Sequence, residues 1–311
     1  MKKVFIDGSA GTTGLRIVQR LAERKDIELL TISEELRKDP AARKGMLNKA
    51  DIVFLCLPDA AAEEAVSMIE NPDVCVIDTS TAHRTADGWT YGFPEIGGRA
   101  AEIKDSKRIA NPGCHASGFI ALVAPLVEYG ILKKNVQLSA YSLTGYSGGG
   151  KKMIAQYEDP ARDILLQAPR MYGLTQKHKH LPEMAAVCGL EESPVFCPVV
   201  APYYAGMQVT VPLFKEMASV DPEEIKKAYK AYYKGPLVKF DESPDDGGFL
   251  SAGLFAGRDD MIISVFGNED RILLVSSFDN LGKGASGAAI QNMNLVLGVD
   301  ETTGLVTGGQ A

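Results

Sequence analysis

The sequence predicts an α/β Rossmann-like domain built on a parallel sheet, followed by an α+β domain with a largely antiparallel sheet. Three observations carry this. Short apolar runs alternate with helix-forming stretches as far as residue 111. A glycine-spaced turn closes the first of those runs. Beyond residue 111, polar and apolar residues alternate within strands instead. Strands alternating with helices imply a parallel sheet covered on both faces, whereas alternation inside a strand marks a sheet with one wet face.

In chain order, residues 4–6 form a first strand that ends at Asp7-Gly8, and Leu15, Val18 and Ala22 then recur near helical spacing. Residues 27–32 read as a second strand and residues 51–57 as a buried parallel strand stopped by Pro58. Residues 60–69 read as helix and residues 74–77 as a fourth strand ending at Asp78. Residues 135–144 alternate as a half-solvated antiparallel strand. Asp221-Pro222-Glu223-Glu224 combines a cap, a proline at the first helical position and acids on the positive helix end. Residues 261–266 and 271–277 form a hairpin around Gly267-Asn268. Ala289, Met293 and Leu297 make one stripe of a last helix that Gly298 ends, and the tail after Asp300 reads as loosely ordered. The expected domains are residues 1–113 with 280–311, and residues 114–279.

Composition bounds the function. A chain of 311 residues with 45% hydrophobic and 23% charged content can bury a sizeable core. A net charge of −7 argues against nucleic acid or an anionic membrane as partner, so an anionic substrate needs a local cationic pocket. Five cysteines without a CxxC pair speak against a disulfide framework or a zinc site, and no metal is expected. The opening MKKVFIDG runs straight into a strand, and a reducing cytoplasm is the expected compartment.

The turn Gly8-Ser9-Ala10-Gly11-Thr12-Thr13-Gly14 lies between the first strand and the first helix, where a dinucleotide pyrophosphate meets free helix N–H groups. Its spacing is GxxGxxG, so a tight strand–helix turn would use the same residues. After the second strand, Ser33 and Arg37 are placed to receive a 2′-phosphate while Glu34 opposes it, which favours NADP. Leu57 and Pro58, and Ser80 beyond the fourth strand, complete the expected cofactor residues.

Asn111-Pro112-Gly113-Cys114 is the most informative stretch. Pro112 disfavours helix at Asn111, Gly113 permits a tight turn, and Phe119, Leu122, Val123 and Leu126 then share a helical face. Cys114 is thereby set at a helix N-terminus, which favours the thiolate. Cys56 and Cys75, in apolar strands, read as core residues.

These motifs together resemble the semialdehyde dehydrogenase family, and within it the short form of the N-acetyl-gamma-glutamyl-phosphate reductases more than the aspartate-semialdehyde dehydrogenases. The resemblance rests also on Tyr91-Gly92-Phe93-Pro94-Glu95, on the run from Gly145 to Lys151, on His178-Lys179-His180-Leu181-Pro182-Glu183, and on the run from Asp279 to Gly287 continuing to Asn294. It covers almost the whole chain. It implies NADPH-dependent reduction of N-acetyl-glutamyl 5-phosphate to the 5-semialdehyde through a thioester on the cysteine, a step of arginine biosynthesis, in a homodimer or homotetramer. Aspartate-semialdehyde dehydrogenase or aminoadipyl-phosphate reductase activity is the nearest rival, and a non-catalytic NADP-binding regulator the rival of another class.

The chemistry needs a base, and His178 and His180 are both candidates, with His180 favoured and His83 and His115 as outsiders. In an extended segment His178 and His180 would share a face. His115 reads as a residue that packs or polarises the helix start. Ser147, Gly148, Gly149 and Lys151 offer N–H groups and a cation to an anionic substrate, and Arg84 is a second phosphate candidate. Glu95 and Asn111 are expected near the substrate. Glu183 is placed to orient a histidine. Asn280, Gly282 and Lys283, which open the last helix, are expected at the nicotinamide side, and Asn292 and Asn294 in polar packing.

Overall fold

The computed structural model describes residues 1–308. In chain order the elements are β1 (Lys2–Asp7), α1 (Thr12–Leu21), β2 (Ile27–Leu30), α2 (Pro40–Lys49), β3 (Ile52–Leu55), α3 (Asp59–Ser67), β4 (Cys75–Asp78), β5 (Thr90–Tyr91), α4 (Arg99–Asp105) and β6 (Arg108–Ala110). There follow α5 (Cys114–Glu128), β7 (Ser139–Gly145), α6 (Gly150–Glu158), β8 (Arg170–Met171), α7 (His180–Cys188), β9 (Val195–Ala201) and β10 (Met207–Phe214). The last are α8 (Pro222–Tyr232), β11 (Val238–Phe240), β12 (Met261–Gly267), β13 (Arg271–Phe278) and α9 (Gly287–Leu297). Among the described residues no helix is long and apolar enough to cross a membrane.

The chain divides into two compact units. The first comprises Met1–Pro94, Gly98–Pro112 and Ala285–Leu305; the second comprises Glu95–Gly97, Gly113–Gly284 and residues 306–308. The return to the first unit therefore comes at Ala285 and not at residue 280. Residues 280–284 stay with the second unit because Asn280 bonds Gly206 and Ser147, and Lys283 bonds Glu95.

The first unit holds a parallel sheet in the order β2-β1-β3-β4-β6-β5. Every residue of β3 and β4 is buried, as continuous apolar runs covered on both faces demand. One side packs Ile17 and Leu21 of α1 with Ala289, Ile290 and Met293 of α9; the other packs Leu47 of α2 with Ala62 and Ala65 of α3. The tail is more ordered than its composition predicts, since Asn294 donates to the carbonyls of Glu301 and Thr303, and Arg24 also bonds Thr303.

The second unit holds a mixed sheet in the order β11-β12-β13-β10-β7-β9-β8. The expected hairpin is β12–β13, antiparallel from Met261↔Phe278 to Gly267↔Ile272. β7 pairs antiparallel with β10 but parallel with β9, and it starts at Ser139, later than predicted. Helix α5 is apolar all round, its residues 115–126 buried, so it is a core helix and not the one-faced helix the spacing predicted. Asp221 caps α8 as expected, accepting the Glu224 N–H at 3.0 Å.

Candidate active site

In the first unit the glycine turn joins β1 to α1. A Cβ on Gly8 would lie 2.3 Å from the Cys56 carbonyl oxygen, and one on Gly14 2.4 Å from that of Gly8. The backbone thus comes closer here than any side chain allows, as a pyrophosphate turn requires. Thr12 Oγ1 is buried and has no hydrogen-bond partner among the described residues, and the first turn of α1 carries no acid. An orphaned hydroxyl at a helix N-terminus fits an anionic group. A cavity of about 240 Å³ opens beside the turn, lined by Gly8, Ser9, Ala10 and Leu57 and by the cations Arg37, Lys38 and Arg43. Arg43, which sequence reasoning missed, reaches it from α2 and is fixed by Asp7 at 2.9 Å and Glu64 at 3.1 Å. Ser33 is exposed and does not line this cavity, and Glu34 is neutralised by Arg37 at 2.9 Å.

Beyond β4, buried Asp78 accepts from the Ser80 N–H and hydroxyl and pairs with His83 Nδ1 at 2.6 Å. His83 stacks on Trp89, and Arg84 donates to the carbonyls of Thr79 and Asn111. Ser80 is thus spent on Asp78, Pro58 is an exposed extended residue ahead of α3, and Asn111 bonds the Ala285 carbonyl and Asn292. These contacts fix Ser80 and Asn111 within the first unit.

In the second unit Cys114 is the first residue of α5, after Gly113 in an extended conformation. Buried Glu183, from α7, accepts the Gly113 N–H at 2.8 Å and so holds the turn that presents the sulfur. A Cβ on Gly284 would lie 3.0 Å from that of Cys114, so the absence of a side chain there leaves room for the cysteine. Cys75 in β4 and Cys56 just beyond β3 differ: burial pushes the Cys56 thiol up to about 12 and the Cys75 thiol to about 11, which keeps both protonated and inert.

Next to Cys114, the His115 ring is buried with centroids 5.7 Å from His178, 5.6 Å from His180 and 5.3 Å from Phe196. His178 and His180 are themselves 4.7 Å apart. They do not share an extended face: His180 opens α7, and its N–H donates to His178 Nδ1 at 3.2 Å. His115 Nδ1 meets Ser142 Oγ at 2.7 Å and Nε2 meets the Tyr172 hydroxyl at 2.6 Å. Burial, and then the charge of His178, holds His115 down at about 3, so it is neutral at working pH. Burial first, and the charge of Cys114 second, raise the Tyr172 hydroxyl well above its ordinary value. Tyr172 and Ser142 escaped the sequence reading because nothing local marks them; they meet His115 only through the fold.

The run after β7 is helical. Tyr146–Gly149 make a 3-10 turn and Gly150 starts α6, whose first turn carries exposed Lys151 and no acid. Ser147 is fully buried and takes a hydrogen bond from Asn280 Nδ2 at 3.0 Å, while Gly148 and Gly149 are exposed. Asn280 Oδ1 accepts the Gly206 N–H, Gly282 abuts the Arg258 carbonyl, and Lys283 Nζ donates to both Glu95 oxygens at 2.7 and 2.8 Å. The side chains of Asn280 and Lys283 are thus engaged inside the second unit.

Residues 33–105 match the semialdehyde dehydrogenase NAD binding domain, and residues 114–280 the semialdehyde dehydrogenase dimerisation domain. The chain is 44% identical to N-acetyl-gamma-glutamyl-phosphate reductase 2 of Nostoc sp., over 97% of this chain and 99% of that protein. It is 47% identical to N-acetyl-gamma-glutamyl-phosphate reductase of Rhizobium meliloti, over 95% and 98%. Its fold is similar to that of aspartate semialdehyde dehydrogenase II of Vibrio cholerae complexed with ASA, with a TM-score of 0.72 at 17% identity over 96% and 98% of the chains.

Proposed function

The chain belongs to the semialdehyde dehydrogenase family, and from that premise we propose that it reduces N-acetyl-L-glutamyl 5-phosphate to the 5-semialdehyde with NADPH, a step of arginine biosynthesis. The observation that carries this reading is Cys114 at the start of α5, beside a cluster of three imidazoles. The helix N-terminus stabilises the thiolate, which attacks the acyl-phosphate carbonyl. The C–O bond to phosphate breaks, phosphate leaves with the bonding electrons, and an enzyme thioester remains. NADPH, when bound, supplies the hydride that reduces this thioester. The oxyanion left by hydride addition takes the proton that a base has held since Cys114 was deprotonated, and that proton returns to the base as the C–S bond breaks and its electron pair goes back to Cys114.

His180 is that base. His178 Nδ1 accepts the His180 N–H, so His178 serves to orient the start of α7, where His180 stands. Gly8, Ser9, Gly11, Thr12 and Gly14 hold the pyrophosphate, and the cations Arg37, Lys38 and Arg43 favour NADPH over NADH. Gly148, Gly149 and Lys151 at the start of α6 bind the anionic end of the substrate. The active species is a homodimer formed through the open face of the second sheet, in the cytoplasm, where its five free thiols stay reduced.

The reverse reaction tests the reading: NADPH absorbance is followed with N-acetyl-glutamate semialdehyde, phosphate and NADP. Wild type turns over, and Cys114→Ser loses roughly a thousandfold or more of kcat. Turnover of aspartate semialdehyde instead would keep the mechanism and reassign the substrate. Folded wild-type protein that turns over neither would make the chain an NADP-binding regulator.

A further inference from the structure

His115, Ser142 and Tyr172 form a hydrogen-bonded chain beside Cys114 that the mechanism above does not use. Each member is fixed. Ser142 is fully buried on β7, between β10 and β9. His115 is the second residue of buried α5. Tyr172 follows β8, its N–H bonded to the Pro198 carbonyl, and Gln176 clamps the same loop by bonding both the N–H and the carbonyl of Phe196.

The chain has a direction. Neutral imidazole has one N–H and one lone pair. Were the proton on Nδ1, His115 would donate to Ser142 Oγ, and the Ser142 hydroxyl proton would have no acceptor among the described residues. A buried donor left unsatisfied is costly. With the proton on Nε2, Ser142 donates to Nδ1 and Nε2–H donates to the Tyr172 oxygen. Both buried groups are then satisfied, and the Tyr172 O–H is left as a donor with no acceptor of its own among the described residues. It lies near enough to Cys114 to interact with its charge, and burial keeps it protonated.

We propose that Tyr172 is a further catalytic residue, which donates its O–H to the oxygen of the acyl group carried on Cys114, and that His115 and Ser142 are the residues positioning it. The donor stabilises the oxyanion that forms when the thiolate adds to the carbonyl and again when the thioester is reduced. The titratable groups around it are Cys114, His115, His178 and His180, and none must change charge for the donor to act. The idea rests on Cys114 being acylated, but not on the identity of the substrate.

Its test therefore compares two reactions of the same sulfur. Acylation of Cys114 by p-nitrophenyl acetate, read as a nitrophenolate burst, builds an oxyanion; alkylation by iodoacetamide does not. In Tyr172→Phe the burst rate falls roughly a hundredfold while alkylation stays within about twofold of wild type. In the reverse reaction kcat falls and KM holds. His115→Gln keeps a donor near the Nε2 position and retains more of the burst than His115→Asn, which keeps only the Ser142 end. An unchanged burst in Tyr172→Phe, or acylation and alkylation falling together, overturns the assignment. A wild type without a burst overturns it along with the thioester. A normal burst in a wild type that ignores the semialdehyde leaves Tyr172 assigned and removes only the substrate reading.

Discussion

At the scale of single residues, the buried histidine beside the nucleophile links function to stability. His115 has its ordinary value of 6.5 when unfolded and about 3 when folded, through burial first and the charge of His178 second. Above pH 6.5 it is neutral in both states, so its contribution is fully present. As pH falls, the unfolded chain takes up a proton that the folded chain refuses, and stability is lost progressively down to about pH 3. The loss is on the order of 5 kcal/mol across that window. Urea midpoints of wild type and His115→Gln between pH 7.5 and pH 3 check this: wild type has the steeper acid slope, and parallel curves would remove His115 as its source. The nucleophile was legible in the sequence because proline, glycine and the following apolar spacing fix its turn locally. Tyr172 was not legible, since its partner lies 57 residues away and only the sheet brings the two together.

At the scale of elements, α7 and the start of α5 act as one device. Helix α7 opens with the proposed base, His180, and three residues on it carries Glu183, which accepts the Gly113 N–H just ahead of Cys114. Base and nucleophile are thereby registered by one buried hydrogen bond. Glu183→Ala leaves that N–H without its acceptor and lowers unfolding stability by about 1–3 kcal/mol, with a larger fractional loss of kcat than of substrate affinity. Glu183→Gln retains the acceptor oxygen and recovers most of both, as urea unfolding and reverse-reaction kinetics would record; equal losses in the two variants would mean that the carboxylate does something other than hold the turn. The sequence pattern located β3, β4, β12, β13, α8 and α9 because each is announced by a local period, cap or turn. It left the segment carrying His178 and His180 without a helix, and an extended course would have put both on one face. The structure resolves this by putting Pro182 in the first turn of α7, where its missing N–H costs nothing. β9 pairs parallel with β7 after a long crossover, which no local signal in either strand could announce.

At the scale of the whole molecule, the second sheet leaves an apolar face that an acidic monomer has reason to cover. Register puts Tyr141 opposite Thr210, Pro212 opposite Leu273 and Phe214 opposite Arg271, all on one side of the sheet. Tyr141 is 44% exposed, Phe214 65% and Leu273 41%, whereas their sequence neighbours Ser142, Leu213 and Leu274 point inward and are buried. Contiguous exposed side chains of this size mark an association surface, and residues 114–280 match a domain described as one of dimerisation. In the homodimer proposed above, a second copy of the chain would bury this face against itself, and each large side chain would contribute about 1.5–3 kcal/mol when removed from water. A net charge of −7 per chain opposes the association, so the apolar contacts must outweigh the repulsion and salt should tighten the dimer. Replacing Phe214 and Leu273 together by Glu puts two carboxylates per chain into the contact. Sedimentation equilibrium should then find the variant monomeric at concentrations where wild type is dimeric, with circular dichroism unchanged. A folded double variant that remains dimeric would move the interface off this face.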